Sequence, residues 1–169
     1  MDKLNTLVQK AQHSQLYLWA LNFVLLRTVP FNNPHKIKIQ SITKDGITMF
    51  AANTKNNRNH IKGIHACLLA TLCEYVTGLS LLTHLSPKEY RIILKNIGMT
   101  YHYQAKTNVF TTFAISSEEK QNILLDLQNK EAILKEFTVD VFDADKNHIC
   151  TGLINWQIKS WKNVKTKIN

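Results

Sequence analysis

Cysteine is scarce in this chain and poorly spaced for metal or redox chemistry. Cys67, Cys73 and Cys150 are three in number and form no C-x-x-C pair, which excludes a disulfide scaffold and a zinc ribbon. A reducing, cytoplasmic setting is expected from that count. Acidic residues are also few: 12 Asp and Glu stand against 21 Lys and Arg, a formal charge of +9. That balance attracts polyanions such as nucleic acid, anionic lipid or a phosphorylated ligand, and does not choose among them. The lysines are spread along the chain, with a looser basic cluster in the closing KSWKNVKTKIN, as a solubilising surface and tail would have them. Any aromatic-basic signature of the RNA-recognition kind is missing, so nucleic acid is not the expected partner.

Long apolar runs are missing too. The stretch LYLWALNFVLL, Leu16 to Leu26, is eleven residues long and contains Asn22, too short to cross a bilayer as a helix. It reads as a docked helix stopped by Pro30, with an interfacial anchor as the alternative. The opening MDKLNTLVQKAQ has no apolar core followed by a small-residue cleavage site, so no signal peptide is read there. Internal repeats and low-complexity linkers are likewise absent from the sequence.

What is present suffices for one domain: 169 residues, 44% of them hydrophobic, bury a single substantial core. The expected organisation is an N-terminal helical segment over residues 1–30, a domain over 31–159, and a basic tail over 160–169. HKIKIQSIT and GITMFAAN alternate about Asp45-Gly46, a common hairpin turn pair. Ile64 to Leu82 is apolar on nearly every side, the mark of a helix enclosed by protein. YRIILKNIGMTYHYQAK then reads as a long strand with Ile97, Met99, Tyr101 and Tyr103 on one face and Gly98 as a candidate bulge. NVFTTFAIS is a further strand, entered by a turn at Thr107-Asn108. A short helix, SEEKQNILLDLQN, is capped by Ser116 or Ser117. AILKEFTVDVFD and HICTGLINWQIK close the domain around the turn DADKN. The class expected is α+β, an antiparallel sheet with a helix on one face.

The enclosed helix carries the chemistry. Asn59, Gly63, His65 and Ala66 precede or open it, and Glu74 is the one charged residue between His65 and Leu82. This pattern of Asn, Gly, His plus a small residue, and a carboxylate nine positions after the His resembles the hotdog-fold acyl-CoA thioesterases of the phenylacetyl-CoA type. Within them it is most similar to the uncharacterised group labelled DUF4442. The resemblance spans roughly Phe31 to Lys159 and implies an antiparallel sheet wrapped around a central helix, with an additional N-terminal helix. It also implies a homodimer, with a dimer of dimers as a further possibility. The reaction implied is hydrolysis of an acyl-CoA or acyl-carrier-protein thioester, coenzyme A entering as part of the substrate and no separate cofactor being needed. Many relatives read His-Gly-Gly where this chain has His65-Ala66-Cys67, and Asp is often the acid where Glu74 stands. Ala donates a backbone N–H as glycine does, although its methyl crowds a ligand.

Thioester hydrolysis asks for the same residues. Open N–H groups at a helix N-terminus hold the carbonyl oxygen, and a desolvated carboxylate activates water or attacks the carbonyl itself. On an ideal helix, nine residues turn about 900°, so His65 and Glu74 face opposite sides. One site containing both must then span two chains related by a two-fold axis. Met99 and Tyr101 are the candidates for an acyl channel; Gly63, Arg58 and Lys62 complete the expected substrate contacts, the last two through the phosphates of coenzyme A.

Plainer readings stand beside these. Glu74 is alternatively a structural carboxylate hydrogen-bonded to a hydroxyl or a lysine, His65 a cap, Asn59 a turn residue, and Cys67 a packing thiol rather than a nucleophile. His60 and His65, five apart, match no metal-binding pattern. A binding protein of the same fold, holding an acyl thioester or fatty acid without hydrolysing it, is the main alternative function.

Overall fold

The computed structural model describes residues 3–164. The N-terminal segment is two helices where the sequence suggested one: α1 (Lys3–Ala11) and α2 (Gln15–Thr28). Ser14, in extended conformation, separates them. On α2, Leu18, Leu21 and Leu25 recur at helical spacing and are buried. Asn22, which interrupts the apolar run, clamps the helix to an edge strand: its amide donates to Ile39 O at 2.9 Å and its Oδ1 accepts from Ile39 N at 2.7 Å. Pro30 then opens a 3-10 turn, as the sequence suggests.

Six strands form one antiparallel sheet: β1 (Lys38–Thr43), β2 (Gly46–Ala51), β3 (Tyr90–Tyr101), β4 (Val109–Phe113), β5 (Ala132–Asp143) and β6 (His148–Ser160). Their order across the sheet is β1-β2-β4-β5-β6-β3. The β1–β2 turn is centred on Lys44-Asp45, one residue earlier than expected, because Gly46 already pairs with Thr43. Gly46 has φ +122°, and a Cβ there would lie 2.3 Å from Phe113 O, so a side chain is excluded twice over.

The irregularity in β3 falls between Leu94 and Asn96, not at Gly98. It changes which residues face inward: Tyr90, Ile92 and Leu94 pack on the core before it, Ile97 and Met99 after it. Tyr103 lies beyond the strand. Asp143 fixes the β5–β6 turn by accepting from Asp145 N and Asn147 N, and Ser116 caps α4 (Ser117–Asn129) by accepting from Glu119 N at 3.0 Å.

The central helix, α3 (Ala66–His84), lies against the sheet and contacts five of its strands. It is long and apolar enough to span a membrane, yet most of its residues are buried in this core. Gly78 admits Trp156 of β6: a Cβ at residue 78 would meet two ring carbons at 3.0 Å. Ser160 ends β6, and Trp161–Asn163 forms a 3-10 turn whose Trp161 indole donates to Pro87 O at 2.9 Å. Residues 165–169 of the expected basic tail lie outside the described residues.

Candidate active site

The first turn of α3 is built by the loop before it. Asn59 Oδ1 accepts from Ile61 N and Gly63 N, both at 3.1 Å, and Asn59 N donates to Gly63 O at 2.8 Å. Lys62, exposed at the tip, takes φ +64° to close this loop. Gly63 is buried where Gln104 passes, and a Cβ there would lie 2.8 Å from the Gln104 amide nitrogen. Its smallness therefore serves packing. Arg58 is held by Asn53, its guanidinium donating to the Asn53 side chain and, at 2.9 Å, to its carbonyl.

Asn57 was not singled out in the sequence, yet it is the buried asparagine of this region. Its amide donates to His35 O at 2.9 Å and Ala52 O at 2.8 Å, and its Oδ1 pairs with His35 Nδ1 at 3.0 Å. Its own carbonyl receives His65 N at 2.8 Å. Four asparagines crowd NTKNNRN, and nothing in their order distinguishes the one that packs inward.

His65 is the N-cap of α3: Nδ1 accepts from Cys67 N at 3.1 Å, which leaves the proton of a neutral ring on Nε2. Leu68 N and Leu69 N both turn to His65 O. The N–H of Ala66, between them, meets no acceptor among the described residues. Ala66 is exposed, and the Tyr101 hydroxyl donates to its carbonyl at 3.2 Å. Cys67, expected to pack inside, is exposed. Its contact with His65 is through the backbone N–H, not the thiol.

Glu74 stands two turns further along α3. It lines a chamber of about 700 Å³ between α1, α2 and α3, closed below by Ile92 and Trp156. Burial raises its carboxyl above the ordinary carboxylate range. Tyr75 beside it is pushed up to about 12, first by burial, with the Asn32 side chain beside its hydroxyl opposing and the Glu74 charge adding. Among the described residues the half-buried Glu74 carboxylate has no hydrogen-bond or ion-pair partner, and its backbone carbonyl accepts from Thr77 Oγ1 at 2.9 Å.

The expected site residues fall into three separate cavities within one chain. Glu74 lines the chamber. Arg58 and His65 line a cleft of about 290 Å³ with Cys67 and Phe31. Asn59, Ala66 and Tyr101 line another of about 310 Å³. Met99 borders none of the three and packs against the core. No three His, Cys, Asp or Glu side chains among the described residues are grouped to hold a metal ion.

Solved structures share this architecture at low sequence identity. A Pseudomonas aeruginosa protein of unknown function, described as a probable thioesterase, aligns with TM-score 0.76 at 15% identity, over 82% of this chain and 93% of its own. A single-substitution variant of another Pseudomonas aeruginosa thioesterase gives 0.64 at 7%, over 89% and 99%. A Haemophilus influenzae thioesterase gives 0.59 at 10%, over 95% and 92%. Likeness at these identities establishes the hotdog fold and leaves the chemistry to the residues. No curated protein matches the sequence. The model of one family, described as domain of unknown function DUF4442, matches residues 18–158, and the chain belongs to that family.

Proposed function

We propose that this protein hydrolyses acyl thioesters, carried on coenzyme A or an acyl carrier protein, at a site shared by two copies of the chain. The observation that carries the reading is the unpartnered Glu74 carboxylate in an apolar chamber. A half-buried carboxylate without a partner is costly to keep charged, and a pKa raised by burial is a common property of catalytic bases and nucleophiles.

Glu74 of one chain takes a proton from water as the resulting hydroxide attacks the thioester carbon. The oxygen, now negative, is held by the open N–H of Ala66 from the partner chain, at the positive end of α3. The thiolate leaves and recovers the proton. In the alternative route the Glu74 carboxylate attacks that carbon itself, the expelled thiolate takes its proton from solvent, and water then hydrolyses the acyl anhydride left on Glu74. Asn59 supports the reading because only its Oδ1 is spent on the loop, leaving its amide hydrogens for a ligand. Arg58 and Lys62, beside that loop, would meet the phosphates of coenzyme A.

The bare edge of β3 supports the shared site. That strand is twelve residues long and, among the described residues, pairs only with β6, so its outer edge is unpaired there, and long bare edges invite a second strand. A two-fold axis there would set α3 of one copy beside that of the other.

A second reading is a binding protein of the same fold. His65 is committed to its cap, and Ala66-Cys67 replaces the two glycines of many relatives. Thiol release from short, medium, long and aromatic acyl-CoAs, run beside Glu74→Gln and Cys67→Ser, separates the two. Hydrolysis lost with Glu74 and kept without the Cys67 thiol is the expected result. Saturable binding with no thiol released, by the unaltered protein, would instead establish the binding function.

A further inference from the structure

The chamber beside Glu74 owes its outer wall to the N-terminal helices. Leu4 and Leu7 of α1, and Val24, Leu25 and Thr28 of α2, face Glu74, Gly78 and Leu82, which recur every fourth residue along α3. About 700 Å³ is ample for a ligand of twenty or so heavy atoms.

Its polar groups are few. Thr28 Oγ1 donates back to Val24 O and Leu25 O. The Trp156 indole N–H is given to Thr77 Oγ1 at 2.9 Å. The Tyr75 hydroxyl has the Asn32 side chain beside it, and Asn32 opposes the rise that burial gives its pKa. Glu74 is the one charged group there, and beyond it Thr28 Oγ1 is among few acceptors, so a polar group carried into the chamber would exchange water for few partners.

We infer that the α1–α2 wall holds the acyl chain and selects an unsubstituted aliphatic chain of medium to long length, with Leu4, Leu7, Val24 and Thr28 setting how far it extends. This rests on the thioester reading for the position of the reacting carbonyl, at Glu74. The chamber itself is a property of the folded chain.

Thr28 and Val24 are exposed on their outer sides, so each accepts a tryptophan that fills the chamber with little cost to the fold. Hydrolysis and binding would be measured for butanoyl-, dodecanoyl- and 12-hydroxydodecanoyl-CoA, with the unaltered protein, Thr28→Trp and Val24→Trp. The unaltered protein should favour dodecanoyl over 12-hydroxydodecanoyl by about 10-fold or more. Either tryptophan should lower the dodecanoyl-to-butanoyl preference by about 10-fold or more.

Hydrolysis whose chain-length and hydroxyl profile ignores both tryptophans would overturn the chamber as the acyl site while leaving the thioesterase reading intact. Binding of dodecanoyl-CoA that weakens in the variants, with no hydrolysis, would uphold the chamber and remove the reaction. Neither binding nor turnover by the unaltered protein would end both.

Discussion

Trp156 and Gly78 meet across the sheet–helix interface at a distance that leaves no room for a methyl group. The indole N–H donates to Thr77 Oγ1 at 2.9 Å, which fixes the ring, and its far edge lies 3.0 Å from where a Cβ of residue 78 would stand. The same imagined atom is 3.8 Å from Glu74 Oε1. Packing of the central helix and placement of the carboxylate are thus one arrangement.

Gly78→Ala tests it. Helix propensity alone predicts a gain of about 1 kcal/mol, whereas overpacking against a pinned ring costs about 1–3 kcal/mol. Net destabilisation by urea unfolding, with a shift in tryptophan emission, is expected. A more stable protein would mean that the ring yields freely.

Asn57 organises the approach to α3 through both ends of its side chain. Asn57→Ala leaves the carbonyls of His35 and Ala52 without their donor and should cost more than about 2 kcal/mol. Amide exchange should quicken at His65, whose N–H bonds Asn57 O. Unchanged exchange there would separate the asparagine from the helix start.

Much of this architecture was legible because it rests on pattern. Alternation marked the strands, the two-sided apolar run marked α3, and Ser116 marked the start of α4. Where prediction slipped, tertiary packing had decided. The β3 bulge depends on which residues must face α3 on each side of it, and the division between α1 and α2 on one extended serine. The candidate site residues, Glu74, His65 and Ala66 among them, are legible through the family resemblance, with a capping His65 as the plainer reading. The chamber is not, since Leu4, Val24 and Ile92 are ordinary apolar residues until the N-terminal helices bring them beside Glu74. Met99 and Tyr101 share a strand face in sequence but go to different surroundings, one to the core and one to the helix N-terminus.

Burial of Glu74 has a pH signature. Its folded-state pKa is raised by desolvation, so its neutral form suits the fold, and the associated stability is fully present below the ordinary carboxylate value and lost as pH rises through the raised one. Glu74→Gln, always neutral, should match the unaltered protein in melting temperature in acid, exceed it increasingly as pH rises through the raised pKa, and by a constant margin above that. A difference that does not change with pH would contradict a desolvated carboxylate at this position.

Ala66 offers an unusually clean test of an N–H. It is the first residue of α3, where proline is tolerated, and His65 before it has φ −68° and ψ 137°, a conformation compatible with a following proline. Ala66→Pro should keep stability within about 1 kcal/mol while lowering thiol release by about 10²–10³. Full activity in a folded Ala66→Pro protein would assign the oxyanion to another donor.

If Glu74 and Ala66 act across a subunit boundary, mixing two inactive variants restores activity. Glu74→Gln and Ala66→Pro chains, unfolded together in equal amounts and refolded, would form mixed dimers with one doubly altered site and one intact site. With half the dimers mixed, about a quarter of the unaltered thiol-release rate should return. No recovery from a mixture shown by mass to contain mixed dimers would place both residues in one chain's site and contradict the account.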